Sequence, residues 1–95
     1  MPAKITPFDI AEHLETDADI RAFLQESAES GTAADLIHAL NTAARAKGMT
    51  AVARQAGVTR ASLYKSLADN GNPSFETIAK IVETFGCKLA VTNHL

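Results

Sequence analysis

Arg45, Lys47, Arg54, Arg60 and Lys65 fall between Asp35 and Asp69 with no acidic side chain among them. A stretch of this kind makes a positive surface, and the chemistry open to it is neutralisation of phosphate oxygens. A solvated helix face can carry the same charges, so the pattern alone decides nothing. The whole chain has a formal net charge of −2, which taken by itself argues against a nucleic-acid partner. The distribution argues the other way. Residues 1–32 hold Asp9, Glu12, Glu15, Asp17, Asp19, Glu26 and Glu29 against Lys4 and Arg21, so the acid is concentrated at one end and the base beyond it.

Other reactive groups are few. His13, His38 and His94 are too scattered for metal-ligand spacing, and no glycine-rich phosphate loop occurs. Cys87 is the one cysteine, which excludes an internal disulfide or a C-x-x-C pair and reads as a small buried hydrophobe rather than a nucleophile. No enzymatic constellation is present, and neither an enzyme nor a cofactor is expected.

The elements that would position the basic residues are helical. At 95 residues and 46% apolar, the chain has the size of one small domain with one core. It contains no run of eighteen apolar residues to cross a membrane. Its start, MPAKITPFDI, lacks the layout of a secretory signal, so a cytoplasmic location is the default expectation. Pro7 to Leu14 can form a short helix, with Pro7 in its first turn. Thr16 reads as the N-cap of a second helix to about Ser30, in which Ile20, Phe23, Leu24 and Ala28 form one stripe. Thr32 caps a third helix with Leu36, Ile37, Leu40, Ala43 and Ala44 on one face, ending at Lys47 and Gly48. Ser74 caps a last one, in which Phe75, Ile78, Ile81, Val82 and Phe85 form the stripe and Gly86 the stop.

Between these lies the informative segment, Val52 to Leu67. Two short helices can cross closely only if the first is small where the second approaches, which Ala53 provides. The turn between them wants a residue tolerant of positive φ, which Gly57 provides four positions later. Val52, Val58, Leu63 and Leu67 then face inward, and Arg60, Ala61, Tyr64, Lys65 and Ala68 face outward. The pattern reads as a helix-turn-helix whose second helix is suited to a major groove. After Gly86, CKLAVTN alternates in the period of a half-buried strand, yet no second strand is found to pair with it. A two-fold homodimer pairing residues 88–93 antiparallel is the economical solution. A strand added by a toxin or another partner is the alternative, and a frayed tail is the third reading.

With a long amphipathic helix before it and Asp69-Asn70-Gly71-Asn72-Pro73 after it, this segment has a recognisable context. Residues 33–86 resemble the Cro/CI-type, lambda repressor-like fold. GMTAVARQAGVTRASLYKSLADNGNPSFETIAKIVETFG, together with PFDIAEHLETDADIRAFL, resembles the addiction-module antidote family of HigA-like antitoxins found beside small RelE/ParE-type toxins. The chain departs from the general repressor pattern in having Thr50 only two residues before Val52. The fold implied is an all-α helix-turn-helix bundle with two N-terminal helices and a short C-terminal β-strand. Its divisions would be a helical extension over 1–31, a DNA-binding domain over 32–86 and a dimerising strand over 87–95.

The resemblance implies a homodimer that binds double-stranded operator DNA, represses its own operon and neutralises a RelE/ParE-type toxin. The positions matching the family's DNA contacts are Thr59, Arg60, Ala61, Ser62, Tyr64 and Lys65. Arg60 can grip guanine O6 and N7, Ala61 can touch a thymine methyl, Thr59 and Ser62 can donate to phosphate or base, and Lys65 suits phosphate. Tyr64 either packs its ring on the preceding helix or reaches a phosphate with its hydroxyl. Arg54 is a flanking candidate; Arg45 and Lys47 are weaker ones. Toxins of this kind carry basic surfaces, which makes the acidic N-terminal segment the candidate toxin contact, although its apolar stripe can equally serve the core. The competing readings are a stand-alone repressor without a toxin and an interaction module that kept the fold but not DNA binding.

Overall fold

The computed structural model describes residues 9–91. A 3-10 turn at Ile10–His13 leads to five α-helices: α1 (Asp17–Ser30), α2 (Ala33–Lys47), α3 (Met49–Ala56), α4 (Arg60–Ser66) and α5 (Phe75–Glu83). The first helix expected, over residues 7–14, is present as this shorter 3-10 turn, and Pro7 lies outside the described residues.

Side-chain caps set most of the helix starts. The Thr16 hydroxyl accepts from the Asp19 amide at 3.0 Å, while the Asp19 carboxylate accepts from the Thr16 amide at 3.2 Å, which closes a capping box. Thr32 and Asp35 repeat the device at 3.2 and 2.9 Å. Each box satisfies two backbone donors that the first turn leaves open and places a carboxylate at the positive end of the helix dipole. Thr59 and Ser74 cap α4 and α5 by accepting from Ser62 and Thr77. α3 differs, because Gly48 precedes it at φ 112° and offers no side chain.

α1 and α2 pack against each other across the short turn at Gly31 and Thr32, and α3 contacts α2, α4 and α5. Leu40, Val52, Leu63, Leu67 and Ile81 are fully buried, so the single core draws on α2, α3, α4 with its end, and α5. Ile20 and Leu24 of α1 join it, with Phe23 half-buried at its margin, while Ala28, expected in the same stripe, is exposed. Burial of side chains of this size contributes roughly 1.5–3 kcal/mol each. That contribution is what holds helices as short as α3 and α4, which would be marginal alone.

Two expectations are corrected. The first is the C-terminal β-strand: among the described residues there is no strand, and residues 87–91 have no regular secondary structure. Residues 92 and 93 of the expected segment lie outside the described residues. The alternation follows contact with the body only as far as Leu89: Cys87 and Leu89 pack against the core and Lys88 and Ala90 are exposed, but Val91, on the same side of the alternation as Leu89, is exposed too. A strand also requires a hydrogen-bonded neighbour, and this segment has no strand partner among the described residues. The second correction is Phe75, expected in the buried stripe of α5 but 75% exposed. The core takes Ile78, Ile81, Val82 and Phe85, and the first turn of α5 projects past it.

Candidate nucleic-acid interface

The bend between α3 and α4 is made by Gly57, which adopts the left-handed conformation at φ 74° and ψ 30°. A residue bearing a Cβ is disfavoured there, and glycine lets the chain reverse within three residues. The Gly57 amide donates back to the Arg54 carbonyl at 3.2 Å and the Val58 amide to the Ala53 carbonyl at 3.0 Å, so the end of α3 leaves few open acceptors. Ala53, 3% exposed, is the small residue at the close approach. This arrangement is compatible with a helix-turn-helix.

α4 is anchored by Leu63 and, just past its last turn, Leu67, each 1% exposed. The opposite face is therefore turned to solvent. Arg60, Ala61, Ser62, Tyr64 and Lys65 are all exposed there, with Thr59 at the cap and Arg54 exposed on α3. Six of these seven candidate residues thus lie on or beside one short helix, and Arg54 lies one turn before the bend. The Arg60 guanidinium stands over the Tyr64 ring with its carbon 5.5 Å from the centroid, and Nη2 donates to the Tyr64 hydroxyl at 3.2 Å. Tyr64, 44% exposed, thus has Arg60 as its partner on the same helix face, a contact that neither reading of its role included.

The remaining two cations of the basic stretch are engaged elsewhere. Arg45 pairs with Asp9 at 3.2 Å and donates from Nε to the Asn41 side-chain oxygen at 3.1 Å. Lys47 donates to the Thr84 carbonyl at 2.7 Å, at the C-terminal end of α5, with its ammonium 5.7 Å from the Phe85 centroid. A cation there complements the negative end of the α5 dipole. Asn41, which the sequence did not single out, completes a chain of polar contacts by donating to the Leu67 carbonyl at 3.2 Å, at the end of α4.

His38 approaches Asp69 at 3.9 Å with both side chains largely exposed, a geometry of little energetic weight. Among the described residues no three of His, Cys, Asp or Glu gather as a metal site, and no helix is long and apolar enough to cross a membrane.

Residues 4–93 match the model of a family described as "Probable addiction module antidote protein". The chain belongs to this antidote family. A protein of Haemophilus influenzae (strain ATCC 51907 / DSM 11121 / KW20 / Rd), described as an uncharacterized protein, is 35% identical over 91 residues, covering 96% of this chain and 94% of that one. No solved structure matches. An antidote implies a toxin for it to counter, so the exposed face of α4 belongs to a chain whose family works through partners.

Proposed function

We propose that this chain is the antitoxin of a type II toxin-antitoxin module, binding operator DNA as a dimer, repressing its own operon and neutralising a RelE/ParE-type toxin. The observation that carries the DNA-binding half is the single outward face of α4, with Arg60, Ala61, Ser62 and Lys65 exposed and Leu63 and Leu67 buried beneath it. No acidic residue occurs from 36 to 68 to offset that charge locally. In this reading α4 enters a major groove. Arg60 bonds guanine O6 and N7, Ala61 meets a thymine methyl, and Lys65 meets phosphate. Thr59 and Ser62 donate their hydroxyl protons to phosphate or base, and Arg54 contacts a flanking phosphate.

The toxin-directed half rests on membership of the antidote family together with α1 and its approach, where Glu12, Glu15, Asp17, Glu26 and Glu29 are exposed while Ile20 and Leu24 point into the core. A carboxylate-rich segment of this kind orients and speeds association with a basic partner. Residues 1–31 are thus the proposed toxin-contact extension and 32–86 the proposed DNA-binding domain. Palindromic half-sites one helical turn apart are the geometric expectation for a dimer of this kind.

The test is fluorescence anisotropy of the full chain with duplex DNA from upstream of its own reading frame, titrated across salt concentrations. Selective binding with a steep salt slope is expected, weakened at least tenfold by combined Arg60→Ala and Lys65→Ala substitution. Equal affinity in the double variant would overturn the assignment of α4. Co-expression with the neighbouring toxin gene, read as rescue of growth, tests the antidote role separately.

A further inference from the structure

We propose that Tyr64 is a positioning residue that holds Arg60 ready to read a guanine, so that the base selectivity of α4 depends partly on a side chain that need not touch that base. The inference rests on the DNA-binding reading and extends it to the residue whose role the sequence left open.

Arg60 and Tyr64 are four residues apart on α4, the spacing at which side chains on one helix face meet. Two restraints act on one guanidinium. Its central carbon lies 5.5 Å from the ring centroid, and one Nη2 proton is directed at the phenol oxygen at 3.2 Å. A long arginine side chain gives up rotamer freedom when it is fixed against a base, and a tyrosine with two side-chain torsions gives up much less. Tyr64 is 44% exposed, and it rises from a helix pinned by Leu63 and Leu67, so the platform itself is fixed from below. The contact therefore orders Arg60 before any duplex arrives.

The hydrogen-bond inventory agrees with this role. Guanidinium has five N–H donors, and Tyr64 uses one on Nη2. The remaining donors still include pairs that can address O6 and N7 in parallel. The Tyr64 hydroxyl, acting as acceptor toward Arg60, keeps its own proton for a phosphate or water. Among the described residues Lys65 has no such partner, which suits a point charge against phosphate rather than a directional reader of bases. Phe75, the most exposed ring among the described residues, lies outside α4 and has no cation over it.

The experiment begins by selecting preferred duplexes from a randomised DNA pool with the full chain. The guanine whose preference Arg60→Ala abolishes is then identified by single-base replacement. Tyr64→Leu should reduce the preference for that guanine about 2- to 5-fold, the range of an exposed cation–π contact converted at tenfold per 1.4 kcal/mol. The slope of affinity against salt should not change, because no charge is removed. Tyr64→Phe, which keeps the ring, should restore most of the preference, and Tyr64→Leu added to Arg60→Ala should cost nothing further. Matched circular dichroism and melting curves separate these effects from loss of fold, and Tyr64→Phe gives a second reading if Tyr64→Leu unfolds.

Full guanine preference in Tyr64→Leu, or losses that simply add in the double variant, would overturn the positioning role while leaving α4 as the DNA-binding helix. Wild-type protein without sequence preference would remove the positioning role together with the DNA-binding reading.

Discussion

Asp19 and Asp35 close capping boxes and Arg45 and Lys47 are held by Asp9 and the Thr84 carbonyl, whereas Arg54, Arg60 and Lys65 stand exposed on the adjoining pair of helices. The first group sits at helix ends and crossings, where a charge finds an open backbone group or a partner within reach. The second sits on α3 and α4 at positions that face away from the core. Charge counted along the sequence cannot separate the two, because Lys47 and Lys65 belong to the same acid-free stretch. What separates them is whether another element passes close by. Asp19, Asp35, Arg45 and Lys47 of the α1–α2 pair therefore fix structure, and Arg54, Arg60 and Lys65 of the α3–α4 pair remain available to a ligand.

The largest test of this division is Leu63→Ala. Leu63 is 1% exposed and lies directly beneath the α4 face. Removing it should destabilise the protein by about 2–5 kcal/mol, from lost burial plus the cavity left behind. Because Leu40 and Ile81 share the same core, one melting transition at lower temperature is expected by circular dichroism. Two transitions, with α1 and α2 surviving α4, would mean that the two pairs fold independently.

Gly57→Ala comes next. The site has φ 74°, and a Cβ there would meet nothing within 4 Å, so the penalty is backbone strain alone. A loss of about 1–2 kcal/mol is expected in urea unfolding. On the proposed function, DNA affinity should fall further than stability explains, because relaxing the bend re-aims α4. Equal losses would show that the bend matters only to folding.

How much of this was legible in the sequence follows from distance along the chain. Thr16, Thr32 and Ser74 were readable as caps because each acts on an amide three residues away, and Gly57 because its backbone need is its own; Thr59 does the same for α4. The inward set Val52, Leu63 and Leu67 followed from helical period, which fixed the outward face as well. The contacts that were missed span the fold: Asn41 to the Leu67 carbonyl across 26 residues, and Lys47 to the Thr84 carbonyl across 37. Periodicity also names a side without naming what lies on it. Leu89 faces the body without any strand partner, and Phe75 continues the stripe of α5 beyond the end of the core. The Arg60–Tyr64 pair has a four-residue spacing visible in the sequence, but its contact depends on side-chain rotamers that spacing leaves open.

Matched cap substitutions give a finer comparison. Thr32→Ala and Thr59→Ala each remove a hydroxyl that accepts from a first-turn amide, at 3.2 and 3.0 Å, and each should cost about 1 kcal/mol. Thr32 serves α2 alone, so its loss should leave operator affinity within twofold. Thr59 opens the exposed face, and its loss should weaken binding severalfold when measured well below the melting temperature. The same weakening from Thr32→Ala would indicate that affinity merely follows stability.

The smallest stability effects come from the two lysines, where the contrast between the regions is sharpest. Lys47→Met keeps the aliphatic stem but removes the 2.7 Å bond to the Thr84 carbonyl and the cation at the end of α5, and should cost about 0.5–1 kcal/mol. Its effect on the salt dependence of DNA binding should be absent, since an ammonium held on α5 does not face the groove with α4. Lys65→Ala should do the reverse. An exposed lysine contributes within about 0.5 kcal/mol to stability, whereas on the proposed function it neutralises one phosphate and its loss should lower the salt slope by about 1. If Lys47→Met changed the slope and Lys65→Ala did not, the positive surface would extend from α2 rather than from α4, and the division drawn between the two helix pairs would fail at the residues that define it.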